Sequence, residues 1–431
     1  MTHRRFPAGR RGLLLCGLLV LLLPAPTQAQ VSFTWEAGLS SESTILPARD
    51  ATPEAGGAEG GDSGTLVRIV DRGQLALALA HPAGRGRMEY RLSGELYRSP
   101  LSPADPNLGD RRLLVYPAES YLRYTLPPDR FSGASFRISL GRIPAIEPSG
   151  TLLESIGTIR EQQLMDGLAL SFRYPGLFWS LAGGYLGLLD KYSSNVILRD
   201  RDAAALSDPE RYGGASRGLI LGTLEAAELF WSQDLAAVFV GQMALGDRNG
   251  AFDSWYIGPV LQGPIAEIGP GRLRHKSSTI LALPVLAGET RTPGLRGDVE
   301  LRYPLPLPVR SEAYLTADFV SGGGGLGAFP RLDQERPYPV VTIPVAARTR
   351  LTLGARGTLL PGAAGRRLQA DVSTSTYFLD QESAGVYGGT SAELQLTYRV
   401  FRDLETELHT GFYGGVDRLR PFVSLAIGAK L

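Results

Sequence analysis

Long stretches of this chain alternate strictly between apolar and polar residues. Across residues 87–96, Met88, Tyr90, Leu92 and Leu96 share one parity, while Arg87, Glu89, Arg91, Ser93 and Glu95 share the other. Across 295–303 the apolar set is Leu295, Val299, Leu301 and Tyr303, against Arg296, Asp298, Glu300 and Arg302. Across 347–359, Leu351, Leu353, Ala355 and Leu359 oppose Arg348, Arg350, Thr352, Arg356 and Thr358. Side chains of a strand point to opposite faces in turn, so each segment is a strand with one greasy and one charged face. A soluble β-sandwich would also give this pattern. The segments, however, are longer than the five or six residues usual in globular strands, and reach the 9–11 needed to cross a bilayer.

Proline, glycine and charge clusters divide the chain into alternating tight and long connections, as expected when all turns at one rim of a barrel are short. The tight ones are 82–86, 127–132, 175–176, 232–234, 265–272, 304–308, 361–366 and 401–403. The long ones are 40–64, 99–112, 143–163, 190–215, 246–253, 287–293, 321–337, 380–386 and 415–420. Residues 65–80 count as one strand despite Asp71 and Gly73, because Val67, Ile69, Leu75, Leu77 and Leu79 keep one parity. These connections imply an all-β, closed antiparallel transmembrane barrel of eighteen strands. Sixteen is the competing count, because Pro259 and Pro284 interrupt the strands expected across 254–286. Aromatics support the turns: Tyr124, Tyr174, Trp231, Tyr303 and Tyr398 each precede a tight connection, and Phe131, Trp179 and Phe401 lie in or after one. Rings of this kind favour the headgroup level of a membrane.

The first residues carry a different signal. Arg4, Arg5, Arg10 and Arg11 precede the apolar run Leu13 to Leu23, and Thr27-Gln28-Ala29 offers a cleavage site. This is the order of a secretory signal peptide, which divides the chain into a leader over 1–29 and a barrel over 30–431. Lipidation at Cys16, the only cysteine, is disfavoured because the apolar run continues past it, and the mature chain then has no disulfide. Removing the leader's four arginines from the 44 basic residues leaves 40 against 43 acids, a net charge near −3 that argues against a nucleic-acid partner.

At the other end, Val423, Leu425, Ile427, Ala429 and Leu431 alternate with Ser424, Ala426, Gly428 and Lys430, and the sequence stops on an apolar residue. Here the chain resembles outer-membrane barrels of the porin type, with Leu431 standing where that family usually has phenylalanine. The resemblance implies a place in the outer membrane, recognition of the last strand by the barrel-assembly machinery, contact with outer-membrane lipid, passage of small solutes and assembly as a homotrimer. Porins commonly fold their third external loop inward. Here that loop is 143–163, after the strand expected over 134–142. Within it, Thr151-x-x-Glu154 can cap a short helix with Leu152, Ile156 and Ile159 on one face. Glu147, Glu154 and Glu161 would then line a constriction, facing Arg296, Arg302, Arg348, Arg350 and Arg356 on C-terminal strands and Arg137 and Arg142 before the loop. Such a transverse field favours polar solutes. Asp298, Glu300 and Glu312 are interleaved with these arginines and would neutralise many of them across strands.

Enzyme chemistry has little to stand on. His81, His275 and His409 lack metal-site spacing, and Gly322 to Gly325 is not followed by the Lys-Ser/Thr of a phosphate loop. The expected function is a channel for passive diffusion of small hydrophilic solutes or ions, without enzymatic activity or cofactor. The alternatives are a dedicated transporter of a specific, even hydrophobic, solute, and an adhesin or structural barrel acting through its long loops. A plugged transporter would need a folded domain before the barrel, where residues 31–39 already read as a strand.

Overall fold

The computed structural model describes residues 31–47, 65–98, 114–128, 133–145, 164–189, 197–198, 216–230, 232–245, 252–286, 289–307, 310–321, 347–361, 367–381, 384–400, 404–414 and 419–430. The expected leader lies outside them. The strands in chain order are β1 (Ser32–Pro47), β2 (Thr65–Ala83), β3 (Gly86–Arg98), β4 (Leu114–Leu126), β5 (Ser135–Pro144), β6 (Leu164–Tyr174), β7 (Leu177–Leu189), β8 (Ile197–Leu198), β9 (Ser216–Phe230), β10 (Gln233–Leu245), β11 (Phe252–Ile268), β12 (Gly271–Leu286), β13 (Glu289–Thr290), β14 (Gly294–Pro304), β15 (Ser311–Val320), β16 (Ala347–Pro361), β17 (Arg367–Gln381), β18 (Ala384–Arg399), β19 (Leu404–Gly414) and β20 (Leu419–Lys430). β8 and β13 are two-residue additions to the ends of β7 and β12. The other eighteen run from 10 to 19 residues, and each pairs antiparallel with its neighbours in sequence. β20 pairs back onto β1, from Gly38↔Lys430 to Ile45↔Val423. The sheet is therefore a closed barrel of eighteen strands.

Closure and outer-wall chemistry together mean that the barrel spans a membrane. A lipid environment cannot satisfy backbone groups, so a sheet stands in it only without an edge. The outward positions are Phe33, Trp35 and Leu39 on β1, Leu75, Leu77 and Leu79 on β2, Leu351 and Leu353 on β16, and Val423, Leu425 and Ile427 on β20, all exposed. Their inward neighbours include Ala76, Ala80 and Ser424, all buried. This is the parity expected from sequence, and the reverse of a soluble sandwich, whose greasy face would be covered.

The tight turns hold both termini at one rim. At Gly84 and Gly176 the backbone takes φ of 59° and 75°, which glycine reaches without a Cβ clash, so β2–β3 and β6–β7 reverse in two residues.

Several expected boundaries shift. β1 continues through Pro47 rather than ending before Ser40, and its ladder with β2 runs on from Ser40↔Arg72 to Pro47↔Thr65. Ladders with β2 on one side and β20 on the other hold this stretch as a strand although its own alternation is weak. Likewise β11 runs to Ile268, and β17 and β18 leave only residues 382–383 between them rather than 380–386. The connection expected over 321–337 lies, but for Ser321, outside the described residues. Prolines do not remove the weak pair: β11 and β12 are among the longest strands, at 17 and 16 residues. Pro264 sits where the β11–β12 register shifts, and Pro259 and Pro284 face Ala237 and Ser254 in otherwise continuous ladders. Each residue of a barrel strand gives its N–H to only one neighbour, so each proline removes a single bond, and a bulge absorbs the irregularity.

Candidate channel interior

The inner face has two unlike halves. Over β5–β12 apolar side chains dominate: Ile143, Met165, Ala182, Leu219, Leu221, Val238, Val240, Tyr256, Ile280 and Ala282 form one buried cluster, beside which Gln242, Thr223 and the fully buried Arg217, 3.2 Å from Asp253, are the polar exceptions. Val240 and Ile280 are 0% exposed, although they point away from lipid. From β14 through β19, and again over β1–β5, the inner face carries paired charges.

On the second half, strand register sets opposite charges beside each other. Arg350 of β16 stands opposite Asp318 of β15, with Nη2 2.7 Å from Oδ2. Three inward positions along, Arg356 pairs with Glu312. Tyr314, between them on β15, donates to Asp371 of β17 at 2.6 Å. Arg302 takes a fork to Glu300 on its own strand, at 2.7 and 2.8 Å. Farther round, Glu393 accepts from Ser391 at 3.0 Å and meets His409 Nε2 at 3.0 Å, while Gln395 donates to Glu407 at 2.7 Å. Across the β1–β5 side, Arg91 lies between Glu36 at 3.4 Å and Glu119 at 2.8 Å, and Arg123 pairs with Glu89 at 3.7 Å. Near the tight-turn rim a cavity of about 760 Å³ opens along this wall, lined by Glu312, Arg356, Gln369, Asp371, Gln395 and Thr397. The wall offers a solute many donors and acceptors but little net charge, because most arginines carry an acid within 4 Å.

The expected constriction residues fall in different places. Arg302, Arg350 and Arg356 are on the inner wall, each with its acid. Arg296 is also inward, facing Ile280 and Val320. Arg137 is inward and exposed, opposite Thr125 and Ser171, and makes no ion pair among the described residues. Arg142 is the exception. It shares the outward parity of Leu140, and Asp166 holds it in a fork at 2.7 and 2.8 Å, so it faces away from the lumen. The side chain of Arg348, and Glu147, Glu154 and Glu161 with the rest of 146–163, lie outside the described residues.

No family model matches the chain, and no curated protein matches its sequence. Solved structures do match. OccK5 (OpdH) of Pseudomonas aeruginosa superposes with a TM-score of 0.58 at 14% identity, over 92% of this chain and 98% of that one. The outer membrane protein OpdK of the same organism gives 0.58 at 12%, over 93% and 98%. OccK9 (OpdG), also from that organism, gives 0.57 at 12%, over 93% and 98%. The fold is the porin-type outer-membrane barrel. At these identities the likeness concerns architecture alone.

Two features of this interior escaped the sequence reading. Arg91, Arg123, Glu393 and His409 were not among the expected site residues, because their partners lie on other strands and become visible only with the register. The apolar inner half was missed because outward and inward faces are both apolar there. In β10, for example, Val238 and Val240 alternate with Ala237 and Phe239. Such a run signals cover on both faces, as in a buried strand.

Proposed function

We propose that this protein is an outer-membrane channel through which small hydrophilic solutes or ions diffuse passively. The observation that carries the reading is a closed eighteen-strand barrel whose inner wall over β14–β19 bears water-compatible, paired charges. Barrels of 16–18 strands enclose more space than side chains fill, so an aqueous path remains. The last strand would be the element read by the assembly machinery, and the barrels would assemble as a homotrimer.

The channel is narrowed, in this reading, by the third long connection, 146–163. What supports it is the burial of the β5–β12 inner face. An uncovered wall side chain stays exposed, as Leu353 does at 58%, whereas Val240 is at 0%. A segment bearing Leu152, Ile156 and Ile159 suits that apolar surface. Glu147, Glu154 and Glu161 would then face the arginines across the lumen.

The test is planar-bilayer recording with three proteins. The unaltered barrel should pass current. Deletion of residues 149–157 should raise its conductance, and Glu147→Gln with Glu154→Gln should shift the reversal potential toward anion preference. No current from the unaltered barrel would overturn the channel. Current unchanged in both variants would place the connection outside the path and leave an open channel.

A further inference from the structure

The cavity at the tight-turn rim is walled by two rows of inward side chains that run across the strands. Register sets Glu312 of β15 opposite Arg356 of β16, Arg356 opposite Asp371 of β17, and Asp371 opposite Gln395 of β18. Two residues nearer the rim, Thr358 stands opposite Gln369, and Gln369 opposite Thr397. Neighbours within a row are about 5 Å apart, and the rows are about 7 Å apart.

The two rows differ in what their polar groups already do. In the first row the charges are engaged. Arg356 pairs with Glu312, Asp371 accepts from Tyr314 at 2.6 Å, and Gln395 donates to Glu407 at 2.7 Å. In the second row the side chains of Thr358, Gln369 and Thr397 have no hydrogen-bond partner among the described residues, and Gln369 is exposed to the lumen. The charges lining the cavity also balance, with Arg310 and Arg356 against Glu312 and Asp371. The open hydrogen-bonding capacity is therefore neutral, and it mixes donors with acceptors. Tyr314 borders the cavity on its lumen side. Its ring covers Gly354, the partner across the strand pair, and so lies along the wall.

We propose that this cavity binds a neutral, polyhydroxylated solute of mono- or disaccharide size during its passage. The proposal rests on the channel reading and names the solute class. A hydroxyl both donates and accepts, so a run of them can meet two threonines and an amide whichever way each group is turned. The negative face of the tyrosine ring suits the C–H side of a sugar ring. A carboxylate solute would have to take Arg356 from Glu312 while lying beside Asp371. An ammonium group would meet Arg310 and Arg356. Breaking an existing charge pair leaves one partner uncompensated, a cost that a neutral solute avoids. The volume of about 760 Å³ lies within the roughly 300–1,000 Å³ common for small-molecule sites.

Purified full-length protein provides the test, with maltose as the neutral probe, gluconate as the carboxylate and serine as the zwitterion. By calorimetry in detergent, maltose should bind the unaltered barrel, and gluconate and serine should bind at least tenfold more weakly. The double variant Gln369→Ala, Thr397→Val removes two side chains that hold nothing in the fold, so it should remain a heat-resistant barrel. Its affinity for maltose should fall roughly tenfold, the loss expected for two hydrogen bonds. No maltose binding to the unaltered barrel, equal binding of gluconate or serine, or undiminished binding by the double variant would each overturn the proposal. In planar bilayers, maltose should interrupt the current in discrete events that grow more frequent with concentration. Maltose binding without any current would sink the channel and leave the site standing. Current without maltose binding would do the reverse.

Discussion

Val299 and Val240 carry the same side chain in the same barrel wall, and the molecule treats them oppositely. Val299 points outward from β14 and is 43% exposed, whereas Val240 points inward from β10 and is 0% exposed. Apolar character therefore does not by itself say which side of the wall faces lipid. On the outer face it meets hydrocarbon, which adapts to any shape. On the inner face over β5–β12 it is enclosed, and packing there is specific. The inner wall over β14–β19 is mostly polar and lined by ion pairs such as Arg350–Asp318 and Arg356–Glu312. One sheet thus has three environments, set by register and parity.

The largest effect expected from breaking this arrangement is loss of the wall itself. Deleting residues 423–431 removes most of β20 and opens two edges in lipid, so no heat-resistant folded species should appear on a gel. A normally folded truncation would mean that the barrel closes elsewhere. Next is the outer face. Leu351→Arg, near the midplane, should cost about 2–4 kcal/mol of folding stability in bilayers. Thr352→Arg, one place along and facing the lumen, should be tolerated. Equal sensitivity at the two sites would contradict the parity.

Much of this was legible in the sequence, because lipid demands an uninterrupted apolar parity. Leu351 against Thr352, and Val423, Leu425 and Ile427 against Ser424, announce their faces directly, and the Pro175-Gly176 pair announces a turn. What was not legible lies where that demand lapses. Ser40 to Pro47 pairs with β2 although its own sequence has little apolar rhythm, and Pro259 and Pro264 are tolerated because ladders on either side hold the strand. The face of Arg142 could have been read, since it lies an odd number of places from Arg137 and so must point the other way. Ion pairs such as Arg350–Asp318 could not, because the pairing of strands decides them.

Smaller effects sharpen the contrast between the two valines. Val240→Ala should cost more than Val299→Ala by about 1 kcal/mol in urea unfolding, the difference being the cavity left in an enclosed site, which lipid would fill at the other. Equal costs would mean that the inner face is not packed. Smaller still is the effect at the charged wall. Asp318→Asn removes the acid that Arg350 forks to and should move ion preference toward anions, Arg350→Gln should move it toward cations, and the double variant should return near the original value. Salt should weaken all three shifts, since screening acts over roughly 8–10 Å at physiological strength. Shifts that add rather than cancel would mean that the pair does not act as a unit.

The central claim, that the enclosed space is an open path for small polar solutes, is tested most directly by the single-channel current of the purified, unaltered protein in a planar bilayer. The account predicts discrete steps whose size is proportional to voltage and rises with salt concentration without early saturation. A barrel that inserts and stays folded, yet passes no current at any salt concentration, would contradict it.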